Sequence, residues 1–146
     1  MIESLIDDIL LTPLSRISNP KGDILRVIRI SDSGCFGIDE VYCSLVHQGV
    51  TKGWKRHLQI PLNLVVLHGF VRFYFVDDRD KSTDVKYQIV DSSPESNYLR
   101  ITVPPLIWVA FQGCSSTNLV ANSIPVIHDP CEQESKDLNY FNIDFS

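Results

Sequence analysis

From residue 24 onward, short apolar runs rich in Val, Ile, Phe and Tyr recur, each cut off by turn-forming residues. Such runs, bounded by Gly, Pro, Asn, Asp and Ser clusters, are the signature of strands rather than helices. The pattern predicts strands near 24–30, 39–47, 62–68, 70–77, 85–90, 98–103, 107–111 and 117–124. The breaks fall at NPKG, SDSG, QGV, DDRDKS, SSPES, PP, GCSS and IP. Many short strands with this punctuation and no helix between them imply an all-β antiparallel sandwich or barrel. Ahead of them, Ile2, Leu5, Ile6, Ile9 and Leu10 lie at helical spacing, with Glu3 in the first turn and Pro13 as a stop. Residues 1–18 are therefore expected to form a short amphipathic helix, or an arm packed on the body or on a second subunit. Residues 133–146 read as a tail, acidic and polar until YFNIDF. No repeat, linker or low-complexity stretch divides residues 1–146, so a single domain is expected.

Composition narrows the class. A chain of 146 residues, 44% hydrophobic and 21% charged, can bury a core without staples and matches an ordinary globular domain. Its apolar stretches stop well short of the roughly 18 residues that span a bilayer, so no membrane partner is expected. The start, MIESLIDDILL, lacks a basic n-region and a small-residue cleavage site, which predicts a cytoplasmic protein. Cys35, Cys43, Cys114 and Cys131 include no C-x-x-C pair and are expected to be reduced thiols. A net charge of −5 argues against nucleic acid as a partner, yet allows a small anion held by a local basic cluster.

Such a cluster exists. Lys52-Gly53-Trp54-Lys55-Arg56-His57 holds three of the chain's 13 Lys and Arg residues, plus a histidine. In an extended strand, Lys55 and His57 share one face while Trp54 and Arg56 share the other. Crowded cations favour a neutral lysine, which makes Lys55 a usable acid or base near neutrality. The alternative is an exposed basic loop with a structural tryptophan. Asn122, polar among apolar strand residues in Val120-Ala121-Asn122-Ser123, fits either a site group or a satisfied core amide. His128-Asp129-Pro130 is a turn whose histidine is catalytic or structural, and Asn19-Pro20-Lys21-Gly22 is a turn presenting one lysine. His47, His57, His68 and His128 form no H-x-H or H-x3-H pair, so neither a metal nor another cofactor is expected.

These segments carry a resemblance. Gly49-Val50-Thr51-Lys52-Gly53-Trp54, the run Gly69 to Arg79, and Ile101-Thr102-Val103-Pro104-Pro105 through Phe111 resemble, in order and spacing, the dTDP-4-dehydrorhamnose 3,5-epimerase family. GWKRH, LNLVV, YFVDDR, VANS and HDPCE are similar to a shorter branch of epimerase-like proteins from surface-polysaccharide gene sets. The likeness covers about residues 19 to 132. It implies a cupin-type jelly roll, a homodimer, and a nucleotide-diphosphate sugar as substrate.

In that family a base removes the proton next to a 4-keto group and an acid returns one from the opposite face, with cationic help for the enolate. The resemblance places Lys21 and Lys52 where arginines grip the diphosphate, and Glu40 and Ser44 where polar groups touch the nucleotide sugar. Lys55 stands at the catalytic histidine position and Asn122 at that of the tyrosine acid. Leu62 replaces the enolate lysine, with Asn63 beside it; Val109 replaces a second pocket histidine, and His128 occupies a tyrosine position near the sugar. An asparagine cannot donate a proton as an acid, so the usual double epimerisation does not carry over automatically. The expectation is an isomerase of a nucleotide-linked 4-keto-hexose that inverts one centre. Lys55, alone or with His57, would carry the proton, and Asn122, Asn63 and His128 would orient the keto oxygen. Arg56 joins Lys21, Lys52, Glu40, Ser44 and Asn63 as an expected binding residue. The rivals are a nucleotide-sugar-binding cupin without catalysis and an interaction module with a vestigial pocket.

Overall fold

A computed structural model of the chain describes residues 3–146. Its strands are β1 (Leu10–Pro13), β2 (Arg16–Ile17), β3 (Ile24–Leu25), β4 (Glu40–His47), β5 (Thr51–His57) and β6 (Leu62–His68). After these come β7 (Val71–Asp77), β8 (Lys86–Ser92), β9 (Leu99–Val103), β10 (Trp108–Gly113), β11 (Thr117–Ile124) and β12 (Gln133–Ser135). Two 3-10 turns, Pro130–Glu132 and Leu138–Phe141, complete the described elements, and no α-helix forms among them.

One five-stranded sheet runs β1-β9-β6-β11-β4, a second runs β12-β5-β10-β7-β8, and β2-β3 is a separate hairpin. Every strand pair is antiparallel. The expected cupin-type β-sandwich is what forms. Alternation along each strand sends one set of side chains between the sheets. Leu62, Leu64 and Val66 of β6 and Ile101 of β9 meet Phe73 and Phe75 of β7 and Val109 of β10 in one buried cluster. A second cluster lies on the outside of the second sheet, where Trp54, Tyr74 and Trp108 are covered by Leu138, Phe141, Ile143 and Phe145. The apolar residues at the chain end therefore cap a sheet face.

Of the two forms expected near the N-terminus, the arm packed on the body forms and the helix does not. Ile2 lies outside the described residues; from Glu3 the chain is an extended arm on the body. Ser4 N–H donates to Tyr87 O at 2.7 Å, Ile6 N–H to Gln88 Oε1 at 2.9 Å, and β1 pairs with β9. A helix this short is marginal in water, whereas the arm buries Ile6 and Ile9 and covers an open sheet edge. The strand expected over 24–30 is likewise only Ile24–Leu25. Beyond it, side chains bind the backbone in place of a ladder: Tyr98 donates to Arg26 O at 2.6 Å and Arg100 Nη1 to Val27 O at 3.0 Å.

Candidate functional site

In the β4 half of the sandwich the space between the sheets is left unfilled. The positions of β4 on the inner side are Glu40, Tyr42, Ser44 and Val46, three of them polar where a sandwich interior would hold apolar side chains. They line a cavity of about 380 Å³ together with Leu62, Leu64, Val120 and Asn122 of the same sheet. Lys52, Gly53, Lys55, His57, Val109 and Phe111 face it from the other sheet, and His128 and Gln133 complete it. Sequence reasoning put Lys55, His57, Asn122, His128, Lys52, Glu40 and Ser44 at one site, and the fold brings all seven to this cavity.

A β-bulge sets the lysines. Val109 of β10 pairs with Lys55, but Phe111 pairs with Lys52, so β5 spends one extra residue over this stretch. An extra residue resets the alternation. Lys52 and Lys55 thereby both turn to the cavity while Trp54 turns outward, fully buried against Phe141 with ring centroids 5.2 Å apart. Gly53 makes the bulge possible: its φ is +146°, and a Cβ there would stand 2.6 Å from Ala110 Cβ. Lys52 Nζ donates to Leu45 O at 2.7 Å. Among the described residues Lys55 has no ion-pair partner, which leaves its charge to the cavity.

His57 is held by a carboxylate 75 residues away. Its Nδ1 lies 2.6 Å from Glu132 Oε2, and the side chain is 7% exposed. Glu132 Oε1 accepts the backbone N–H groups of Leu58, Gln59 and Ile60 at 2.9, 2.7 and 3.2 Å. Burial pushes the Glu132 carboxyl up, but the Gln59 N–H, the His57 contact and the Ile60 N–H together outweigh it and hold the group below its usual range. An ionised Glu132 accepts a hydrogen bond from Nδ1–H, so Nε2 is the nitrogen with a free lone pair for the cavity.

The opposite sheet supplies a neutral network. Asn122, 4% exposed, pairs with Tyr42 on one side and Leu64 on the other. Its Oδ1 accepts the Asn63 N–H at 3.1 Å, and its Nδ2 donates to the Tyr42 hydroxyl at 2.8 Å. Burial raises the Tyr42 phenol, the charges of Glu40 and Glu132 add to this, and the Asn122 hydrogen bond opposes it without cancelling it. The His128 ring stands edge-on to Tyr42 at 6.0 Å, and the His128 N–H donates to Glu40 Oε1 at 2.9 Å. Leu62 and Val109 leave the deeper cavity wall apolar.

Three expected binding residues fall elsewhere. Arg56 points to the outer face, as alternation requires, where it lies 4.6 Å over the Trp108 ring and pairs with Glu134 at 2.6 Å. Asn63 lies on β6 between two inward leucines, so its side chain faces out, donating to Gly34 O at 3.0 Å and accepting from Thr102 at 2.6 Å. Lys21 sits in the exposed Asn19–Gly22 turn, outside the cavity lining. Conversely, Glu132, Tyr42 and Gln133 were missed. Tyr42 shares the β4 face of Glu40 and Ser44, so the period of two could have found it. Nothing in the spacing of HDPCE marks Glu132 as the partner of His57.

Among the described residues no group of three or more His, Cys, Asp and Glu could hold a metal, the four cysteines are unpaired, and no helix is long and apolar enough to cross a membrane.

No family model matches the chain, and no curated protein matches it by sequence. Solved structures do match. The chain is similar to a dTDP sugar isomerase from Desulfovibrio desulfuricans G20, at 27% identity and a TM-score of 0.88, over 96% of this chain and 90% of that one. QdtA, a sugar 3,4-ketoisomerase from Thermoanaerobacterium thermosaccharolyticum solved with TDP, shares the fold at 16% identity and a TM-score of 0.74, over 89% of each chain. A dTDP-4-dehydrorhamnose 3,5-epimerase from Elizabethkingia anophelis shares it at 15% identity and 0.72, over 94% of this chain and 80% of that one. The resemblance read from the sequence is thus met in structure: the neighbours are dTDP-sugar isomerases and epimerases.

Proposed function

We propose that this protein is an isomerase of a nucleotide-linked 4-keto-hexose, dTDP-linked by its likeness to the Desulfovibrio enzyme, acting in the making of surface polysaccharide. The observation that carries the reading is His57. A buried imidazole, held by an ionised Glu132 with Nε2 turned to a cavity, is a base that needs no further activation. Abstraction of the proton next to the ketone places negative charge on the keto oxygen, and Lys55 is the cation on the same sheet that stabilises it. Lys52, across the bulge but turned to the same cavity, is suited to the diphosphate as a point charge. In this reading the base is His57, where the sequence favoured Lys55, alone or with His57; the Glu132 contact supports the change.

The working form is proposed to be a cytosolic homodimer. β4 is an edge strand whose outer side exposes Val41 (55%), Cys43 and Leu45 (62%), an apolar strip that a second copy would cover. Light scattering on the purified protein reads this directly.

The test of the reaction is incubation with dTDP- and GDP-linked 4-keto sugars in deuterated water. Solvent deuterium is expected at the carbon beside the ketone. Tight binding without exchange for every sugar would assign the chain as a nucleotide-sugar-binding protein instead; neither binding nor exchange would end the nucleotide-sugar reading.

A further inference from the structure

We propose that Tyr42 is the acid of this site: its hydroxyl returns the proton to the substrate carbon from the side opposite His57. The proposal rests on the isomerase reading above and supplies the donor that Asn122 cannot be.

Three observations converge on it. Tyr42 belongs to one sheet and His57 to the other, and both line the same cavity, so a sugar ring between them meets a base on one face and a phenol on the other. The second observation is hydrogen-bond direction. The Asn63 N–H, a donor only, fixes Asn122 Oδ1 as its acceptor. Asn122 must then present Nδ2 to Tyr42, and Tyr42 oxygen accepts. That bond is the only one the Tyr42 hydroxyl makes among the described residues, so its own hydrogen is left for the cavity. The third is elimination. On this sheet the other polar lining groups are Glu40, Ser44 and Asn122. Asn122 has no acidic proton, Glu40 is occupied as an acceptor by the His128 N–H, and a serine hydroxyl is a far weaker acid than a phenol. Burial and the Glu40 and Glu132 charges keep the phenol protonated at neutral pH, as a donor must be.

The step balances. His57 Nε2 takes the proton from the carbon beside the ketone, and the C–H electron pair forms the enolate, with its charge on oxygen near Lys55. The enolate carbon then takes the Tyr42 proton from the opposite face while the O–H pair stays on the phenolate. Asn122 Nδ2 already donates to that oxygen and becomes a charge-assisted donor to the phenolate. One proton has been gained by His57 and one lost by Tyr42; exchange with water resets both.

Tyr42→Phe separates this from a structural role, because it keeps the ring that packs against His128. In deuterated water two rates are read: deuterium entering recovered substrate, and product formed. Loss of the acid leaves the base working, so wash-in is expected within about threefold of wild type. Product formation should fall at least about 100-fold, the ordinary share of a general acid. Undiminished product formation in Tyr42→Phe overturns the proposal and leaves the isomerase reading standing. So does loss of wash-in and product together, or loss of dTDP binding by thermal shift, since each marks Tyr42 as structural. Absence of any exchange in the wild-type protein removes both readings at once.

Discussion

Replacing Glu132 by Gln changes one atom of the side chain and reverses the chemistry of His57. The three backbone N–H groups of Leu58, Gln59 and Ile60 bind one oxygen of residue 132. They are donors only, so they fix the glutamine oxygen in that place and turn its NH2 toward His57 Nδ1. Nδ1 must then accept, which moves the imidazole proton to Nε2. The nitrogen facing the cavity loses the lone pair that a base needs. A second loss adds to this. Proton abstraction makes an imidazolium, and at about 4 Å between charge centres, with an effective dielectric near 20, a carboxylate stabilises it by about 4 kcal/mol. At about 1.4 kcal/mol per decade this alone approaches 1,000-fold. Solvent-deuterium wash-in next to the ketone is therefore expected to fall by about 1,000-fold or more in Glu132→Gln. Binding of dTDP, which rests on other residues, should hold. The cooperative melt should also survive, because the backbone donors keep their acceptor. Exchange within tenfold of wild type would refute the dyad and return the role of base to Lys55.

Three further outcomes follow from the same geometry. Lys55→Met removes the cation for the keto oxygen and should lower wash-in by about 100-fold, the usual cost of one oxyanion donor. The melting temperature should barely move, since Lys55 lacks a partner and is exposed; unchanged exchange would remove Lys55 from the reaction. Gly53→Ala puts a side chain at φ +146° and 2.6 Å from Ala110 Cβ. It should cost about 2–3 kcal/mol and lower the melting temperature by several degrees; an unaltered melt would show that the bulge tolerates a side chain. Glu132 is held below its ordinary carboxylate range, so its contribution to stability is present above about pH 4 and is lost as pH falls through the lower folded value. The stability advantage of wild type over Glu132→Gln should thus shrink in melts taken below pH 4, and a constant difference down to pH 2 would contradict the assigned ionisation.

Much of this fold was legible because the sandwich strands alternate cleanly. LNLVVLH and TNLVANSI became β6 and β11 at the residues expected, and the faces of Lys55 with His57 and Trp54 with Arg56 came out as the period of two requires. What failed was non-local. Residues 5–10 carry a helical spacing of apolar groups, yet only Ile6 and Ile9 are used, each as an anchor under the sheet. No local rule shows that the β9 edge is waiting for a strand. The run 24–30 has strand-like composition, but its backbone is tied by Tyr98 and the 1%-exposed Arg100, more than 65 residues later. Lys52 reaches the cavity only because the bulge shifts the alternation, and Gly53 was its one visible trace.

The candidate site shows how a sandwich can hold His57 and Tyr42 opposed across one cavity without a loop to bring them together. Facing sheets stand about 10 Å apart, near the thickness of a sugar ring flanked by two side chains. Filling that gap with Phe73 and Phe75 at one end makes a core; replacing the filler by Glu40, Tyr42, Ser44 and Asn122 at the other leaves a slot. Each wall is rigid for reasons unrelated to the slot. Trp54 and the Phe141–Phe145 segment pin β5 from outside, and Asn63, bonded to Gly34 and Thr102, pins β6 beside Asn122. A group on either wall therefore meets the substrate in a fixed orientation. Tyr42 on β4, paired with Asn122 on β11, faces the same side of the slot. Loss of one expected tyrosine need not mean loss of the acid, because the neighbouring strand presents its side chains to the same slot at the same height.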